Sequence, residues 1–330
     1  ELRAPTIFDP KNYSDNFLTY TADFNHDGRL DVFAVPFPGA EGYWYENPGT
    51  KDGHWPRHLA YPMVGNESPV WGDVNGDGQP ELIFNNEGFL GYATFDPAKP
   101  NEVWKFHAVS PPDKRFQRFT HGIGVGDING DGRMDIVEAA GWWEQPADVR
   151  TSVPWAFHPH RFAEAASQML VTDADGDGLS EVINSWHCHL YGLVWHRQVR
   201  SAGGEITWQQ NVILPPQPDV TLTEVRISQL HALELVDMNG DGLKDIVTGK
   251  RFWAHGPAGD KEPDAPAVLV WFELQRHGNG QVAFVPHLID DDSGVGTQVT
   301  PGDLNDDGRP DVIVANKKGI FVHLNEMPGR

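Results

Sequence analysis

The stretch TADFNHDGRLDVFAV, Thr21 to Val35, decides how the chain is to be read. It begins with a loop offering oxygen at alternate positions: Asp23, Asn25, Asp27, the carbonyl of Arg29, and Asp31. Hard cations such as Ca²⁺ take six to eight oxygens, and alternating acids plus one backbone carbonyl supply them. A glycine at position six, Gly28, permits the sharp turn around an ion.

The pattern recurs five more times, starting at Asp73, Asp127, Asp173, Asp237 and Asp303. Position three carries Asn75, Asn129, Asp175, Asn239 and Asn305, and position five carries Asp77, Asp131, Asp177, Asp241 and Asp307. The carbonyl of position seven belongs to Gln79, Arg133, Leu179, Leu243 and Arg309, and the acid of position nine is Glu81, Asp135, Glu181, Asp245 and Asp311. All thirty positions are expected to hold structural Ca²⁺. Spacings of 46 to 66 residues between loops mark a repeat architecture.

An EF-hand would place a bidentate Glu at position twelve. That column reads Ala34, Phe84, Glu138, Asn184, Thr248 and Val314, and the residues after each loop are short, apolar and β-branched. They predict strands, not helices. Each loop is followed by an aromatic segment such as GYWYENP or GWWEQP, then by an aromatic-x-x-His strand ending at His58, His107, His158 or His287. Trp208 and Asn211 take that pattern's place in the fourth unit. One unit is therefore four strands with a loop between the first and second, which predicts an all-β propeller of six or seven blades. A single domain over residues 1–330 is expected, with the N-terminal APTIF completing the last blade so that no sheet edge stays open.

The repeats resemble the FG-GAP/VCBS propellers, which include the integrin α-subunit head. A narrower resemblance rests on RFTHGIGVGDINGDGRMDI, GWWEQP, SQLHALELVDMNGDGLKDIVTGKRFWAHG and HLIDDDSGVGTQ. These stretches are similar to the propeller domain of aldos-2-ulose dehydratase-type sugar lyases, and imply a carbohydrate C–O lyase.

Net charge is −22, from 47 acidic and 25 basic residues. Six Ca²⁺ ions would reduce it to about −10, so much of the acidity reads as ligand. Nucleic acid is excluded as a partner, because its binding needs a basic face. The one cysteine, Cys188, allows no intrachain disulfide and reads as a buried small hydrophobe. No apolar run reaches the ~18 residues of a membrane span. The chain starts at Glu1 without an apolar leader, and its loops suit millimolar calcium, so a secreted or periplasmic protein with its signal removed is expected. Asn12 and Asn66 stand in glycosylation sequons.

Recurring columns belong to the scaffold, and residues that break them are candidates for function. Six residues before each loop the column reads Phe17, Glu67, His121, Ser167, His231 and Thr297. The turns after the second strands add Glu87, Trp142, Trp143, His187, His189, Lys250, Arg251, His255, Lys317 and Lys318, expected at the same end of the blades. His187 and His189, read as two apart on an extended segment, would share one side and hold Zn²⁺, Mn²⁺ or Mg²⁺. His121, His231 or Glu67 would serve as base, and Lys250 or Arg251 would stabilise an oxyanion. Trp142, Trp143, Glu87, His255 and Lys317 would contact a carbohydrate. The competing reading is a non-catalytic adhesion or glycan-binding propeller, since a fold alone supports both.

Overall fold

The computed structural model describes residues 2–4, 13–50, 52–150, 154–217 and 227–327. Its twenty-three strands form six antiparallel sheets: β1–β4 (Leu18–Ala22, Asp31–Val35, Ala40–Tyr45, Arg57–Val64), β5–β8 (Val70–Gly72, Glu81–Asn86, Phe89–Thr94, Lys105–Ala108) and β9–β12 (Ile123–Gly126, Asp135–Glu138, Gly141–Glu144, Ala156–Pro159). The others are β13–β16 (Leu170–Thr172, Glu181–Ser185, Leu193–Arg200, Ile206–Leu214), β17–β20 (Leu230–Val236, Asp245–Lys250, Leu269–His277, Gln281–Asp290) and β21–β23 (Val299–Gly302, Asp311–Asn316, Gly319–His323). Strands follow one another in sequence order within every sheet. This is the fold class of an all-β six-bladed propeller. The proposed closing strand at APTIF spans residues 4–8, of which 5–8 lie outside those described, as does Asn12 of the first sequon. Asn66 is buried, which removes it as a glycan acceptor.

Two compact units divide the chain, residues 1–120 with 143–157, and residues 121–142 with 158–330. In the first, Phe24, Phe33, Trp44, Tyr61, Phe84 and Trp104 form the aromatic core, with Phe24 and Trp104 rings 5.4 Å apart. In the second, β9 packs beside β13, β13 beside β17 and β17 beside β21, so the first strands of successive blades are neighbours.

Every second strand starts at position nine of its loop: Asp31, Glu81, Asp135, Glu181, Asp245 and Asp311. The outer histidines stack on third-strand aromatics: His58 on Trp44 at 4.3 Å, His107 on Tyr92 at 5.0 Å, His158 on Trp142 at 4.1 Å, and His287 on Trp271 at 4.3 Å. His58 and His287 also reach Glu46 and Glu273, each at 3.0 Å. These are scaffold contacts. Trp142 and Trp143 are each 3 % exposed and packed in the core, which corrects their reading as a sugar-stacking platform: no ring face is open.

Candidate metal centre and acidic loops

The loops are built from carboxylates capping their own backbone. In the second loop Gly76 and Gly78 donate N–H to Asp73 at 2.7 and 2.9 Å, and Gln79 donates to Asp77 at 2.8 Å. Gly28, Gly78, Gly132, Gly178, Gly242 and Gly308 all have φ between 83° and 88°, the left-handed region where a side chain is strained.

The position-nine acid, read from sequence as a cation ligand, has another task. It is buried in all six blades and accepts the N–H of position two, at 3.0 Å from Phe24, 2.9 Å from Val74, Ile128, Met238 and Leu304, and 2.7 Å from Ala174. In the first, fifth and sixth blades its other oxygen accepts an N–H from the third strand or just after it: Asn47 at 2.7 Å, Leu274 at 2.8 Å and Asn325 at 2.8 Å. An acid here ties the loop to the second and third strands by its own hydrogen bonds.

Where position nine is the longer Glu, it also reaches into the loop. Asp73, Asp77 and Glu81 lie with their oxygens within 4.8 Å of one another, as do Asp173, Asp175 and Glu181, and each set could hold a metal ion. Burial, with the neighbouring aspartates adding, pushes the Glu81 and Glu181 carboxyls up to about 7. Oxygen-only sets of this kind fit Ca²⁺. The other loops differ: Arg29, Arg133 and Arg309 fold back to pair with Asp27, Asp131 and Asp307 of their own loops. In the fourth loop Arg197 pairs with Asp175, a member of one of the two sets.

A second donor set lies wholly in the second unit. His121 precedes β9. His231 sits in β17 where the register with β18 slips between Leu230↔Lys250 and Leu233↔Thr248, a bulge that inserts one extra residue and re-aims the side chain. Cys188 and His189 are the central residues of a turn closed by Leu190 N–H to His187 O at 3.0 Å, and Cys188 N–H is held by Ala165 O at 2.7 Å. The Nε2 atoms of His121 and His189 are 3.0 Å apart. Rings of His121 and His189 are 5.1 and 5.0 Å from that of His231. One ligand atom from each of His121, Cys188, His189 and His231 lies within 4.8 Å of the others. A tetrahedral centre with bonds of about 2.0–2.3 Å needs such a cluster.

Three imidazoles and a thiol suit Zn²⁺ or another borderline transition metal. Mg²⁺ requires oxygens and does not fit, and Mn²⁺ loses the carboxylate that a mixed set would give it. His187 stands outside the cluster, its Nδ1 accepting the His189 N–H at 3.2 Å. The segment is a turn, so strand alternation does not apply and Cys188 takes the place expected for His187. Burial lowers the His187 pKa.

Next to the cluster, the His255 ring is 4.8 Å from that of His189. Asp260 accepts from the His255 backbone N–H at 2.8 Å, and its Oδ1 is 3.2 Å from His255 Nδ1. Burial works to raise the Asp260 carboxyl, but these bonds outweigh it and hold it below the usual carboxylate range. Asp260 was not foreseen, and no repeat column points to it. Lys250 is buried, donating to Ser228 Oγ at 2.9 Å and Lys261 O at 3.1 Å. Burial lowers its pKa. It anchors the loop that carries His255 and Asp260 rather than facing a substrate. Arg251 is also buried. Lys317 Nζ lies 3.5 Å from Ala254 O, on the same loop. Glu67 and Glu87 belong to the first unit and are not part of the cluster.

The FG-GAP-like repeat family model matches residues 23–84 and 237–314, which hold the first and second and the fifth and sixth loops. No curated protein matches the chain. Among solved structures, an Agrocybe aegerita lectin described for specific recognition of non-reducing terminal N-acetylglucosamine is 17 % identical, with a TM-score of 0.56 over 96 % of this chain and 78 % of that one. The V. cholerae biofilm matrix protein Bap1 is 16 % identical, TM-score 0.43, over 89 % of this chain and 43 % of that one. The Photorhabdus luminescens Tc holotoxin pore is 14 % identical, TM-score 0.42, over 92 % and 14 %. At that identity the likeness to the lectin is one of fold alone.

Proposed function

We propose that the protein is a metal-assisted carbohydrate C–O lyase built on a calcium-loop propeller and exported from the cell. The observation that carries the catalytic part is the convergence of His121, Cys188, His189 and His231 beside the His255–Asp260 pair. His121 and His189 are only half-buried, which leaves the donor set a side open to a ligand. When bound, Zn²⁺ supplies Lewis acidity toward a carbonyl or carboxylate oxygen of a sugar. The chain's residues do the rest. His255, oriented by Asp260, takes the proton α to that carbonyl, and the β-oxygen leaves with a proton from solvent, giving an unsaturated sugar and water or alcohol. The carbohydrate itself comes from the resemblance of the sequence to sugar-lyase propellers. The acidic loops would hold Ca²⁺ at the millimolar level found outside cells.

A glycan-binding propeller without catalysis is the second reading, and the fold shared with a sugar-binding lectin is compatible with it. One experiment separates them. Metal content is measured in wild type, His121→Ala and His255→Ala, and keto-sugars and uronides are followed for new ultraviolet absorbance. The lyase reading expects His121→Ala to lose metal and turnover, and His255→Ala to keep metal while losing about 10²–10⁴-fold in rate. Silence across the substrates, with glycan binding intact in His121→Ala, establishes the binding module instead.

A further inference from the structure

The first unit contains a cavity of ≈ 310 Å³ that shares no residue with the metal centre. Its walls include Met63, Asn85, Glu87, Lys114, Phe116 and Arg118. Asn85 lies on β6, where the other blades have Val35, Ala139, Ser185, Gly249 and Ala315 at the same distance from their loops. It alone in that column carries an amide.

The Asn85 side chain is 2 % exposed, and neither its Oδ1 nor its Nδ2 has a hydrogen-bond partner among the described residues. Leaving a buried amide unmade costs the full desolvation of the group, so such positions call for a partner. Its backbone, by contrast, is fixed: Asn85 pairs with Leu90 in the sheet and its carbonyl accepts Gly65 N–H at 3.0 Å. A Cβ on Gly65 would meet that oxygen at 2.3 Å, so glycine is required for the approach that forms this wall. The opposite wall is tied by Asp113 N–H to Gly88 O at 2.8 Å, across the two-residue turn in which Glu87 holds φ +48°. Non-glycine residues in that region are strained, and such strain concentrates at ligand sites.

Two cations stand at the cavity, Lys114 and Arg118, both exposed. Neither makes an ion pair among the described residues, in a chain that carries 47 acids. Phe116 and Met63 supply apolar surface. Apolar surface with a buried, unpaired amide, two cations and the further polar groups Gln117 and Glu87 is the composition of a small-ligand pocket. Its volume is at the small end of the ~300–1,000 Å³ range, which favours one sugar ring over a chain.

We propose that this cavity binds a hydroxylated carboxylic acid of monosaccharide size, a uronic acid being the fitting chemistry. Hydroxyls pair with the donor and acceptor of Asn85, the C–H face lies against the half-buried Met63, and the carboxylate faces Lys114 and Arg118. The site does not depend on the lyase reading.

Galacturonate, glucuronate and neutral galactose are titrated calorimetrically into the full chain, its Asn85→Leu variant and its Lys114→Ala/Arg118→Ala variant. Expected is uronate binding at least tenfold tighter than galactose, weakened at least tenfold by both variants. The unliganded Asn85→Leu protein is expected to melt no lower than wild type, because no protein hydrogen bond is lost. The proposal is overturned by absence of uronate binding, by equal binding of galactose, or by wild-type affinity in the Asn85 and Lys114/Arg118 variants. A lowered melting temperature for Asn85→Leu also overturns it, by making Asn85 a structural residue.

Discussion

The carboxylate of Asp31 accepts the backbone N–H of Phe24 at 3.0 Å, across the loop that separates the first two strands of its blade. Both residues are buried, so the bond is shielded from water and the loop is closed from beneath. Asp31→Ala leaves the amides of Phe24 and Asn47 without their acceptor. Each orphaned donor costs about 1–3 kcal/mol. Asp27→Ala, on the exposed side of the same loop, is expected to cost well under half as much in chelator. Chemical denaturation of the two variants gives the comparison, and equal losses in chelator would show that the Asp31 hydrogen bonds carry no stability of their own.

Glu81 and Glu181 predict a pH dependence with a definite sign. Their folded pKa of about 7 lies above the ordinary 4.5, so between those values the folded chain holds protons that the unfolded chain has released. Stability then falls as pH rises from about 4.5 to about 7, and levels off above. The drop is expected to be on the order of 1–3 kcal/mol per group. Millimolar Ca²⁺ favours the ionised carboxylates and should flatten or reverse it. Denaturation midpoints at pH 5 and 7.5, with Ca²⁺ and with chelator, measure the effect. A flat profile in chelator would mean that the two glutamates titrate normally.

Cys188→Ser and His187→Ala should part company in zinc stoichiometry. The serine variant removes a thiolate from the four-donor cluster and is expected to weaken binding at least tenfold, whereas His187→Ala should retain the metal. Competition with a chromophoric chelator reads both. Retention in Cys188→Ser together with loss in His187→Ala would restore the strand-based assignment.

His158 covers one face of the buried Trp142 at 4.1 Å. His158→Ala should lower stability by about 1–2 kcal/mol, from lost stacking and packing, and leave turnover or ligand binding per folded molecule unchanged. A functional defect without a stability change would return this column to the list of functional residues.

The fold was legible because its signals are local: loop chemistry, a glycine at a fixed place and an apolar run after it all lie within about fifteen residues of one another. Comparing blades found His121 and His231, which break a column. The same comparison would have placed Trp142 correctly, since Trp44, Tyr92 and Trp271 take the same stacking role. Cys188 was missed because a turn, not a strand, carries it. Asp260 was missed because its partner, His255, is reached through a loop that no other blade repeats. The role of position nine was hidden by economy of residue type: a carboxylate that ties down amides looks the same in sequence as one that binds an ion.

The arginines of position seven give the loops unequal appetites for cations. Arg29, Arg133 and Arg309 place a guanidinium against the position-five acid, so an incoming ion must displace a resident positive charge. Gln79 offers no such competitor in the second loop. If the loops take Ca²⁺ as proposed, falling calcium would empty the first, third and sixth before the second, leaving each of the three a covalently attached substitute. Such a chain would grade its response to the medium, loosening blade by blade instead of failing at one threshold.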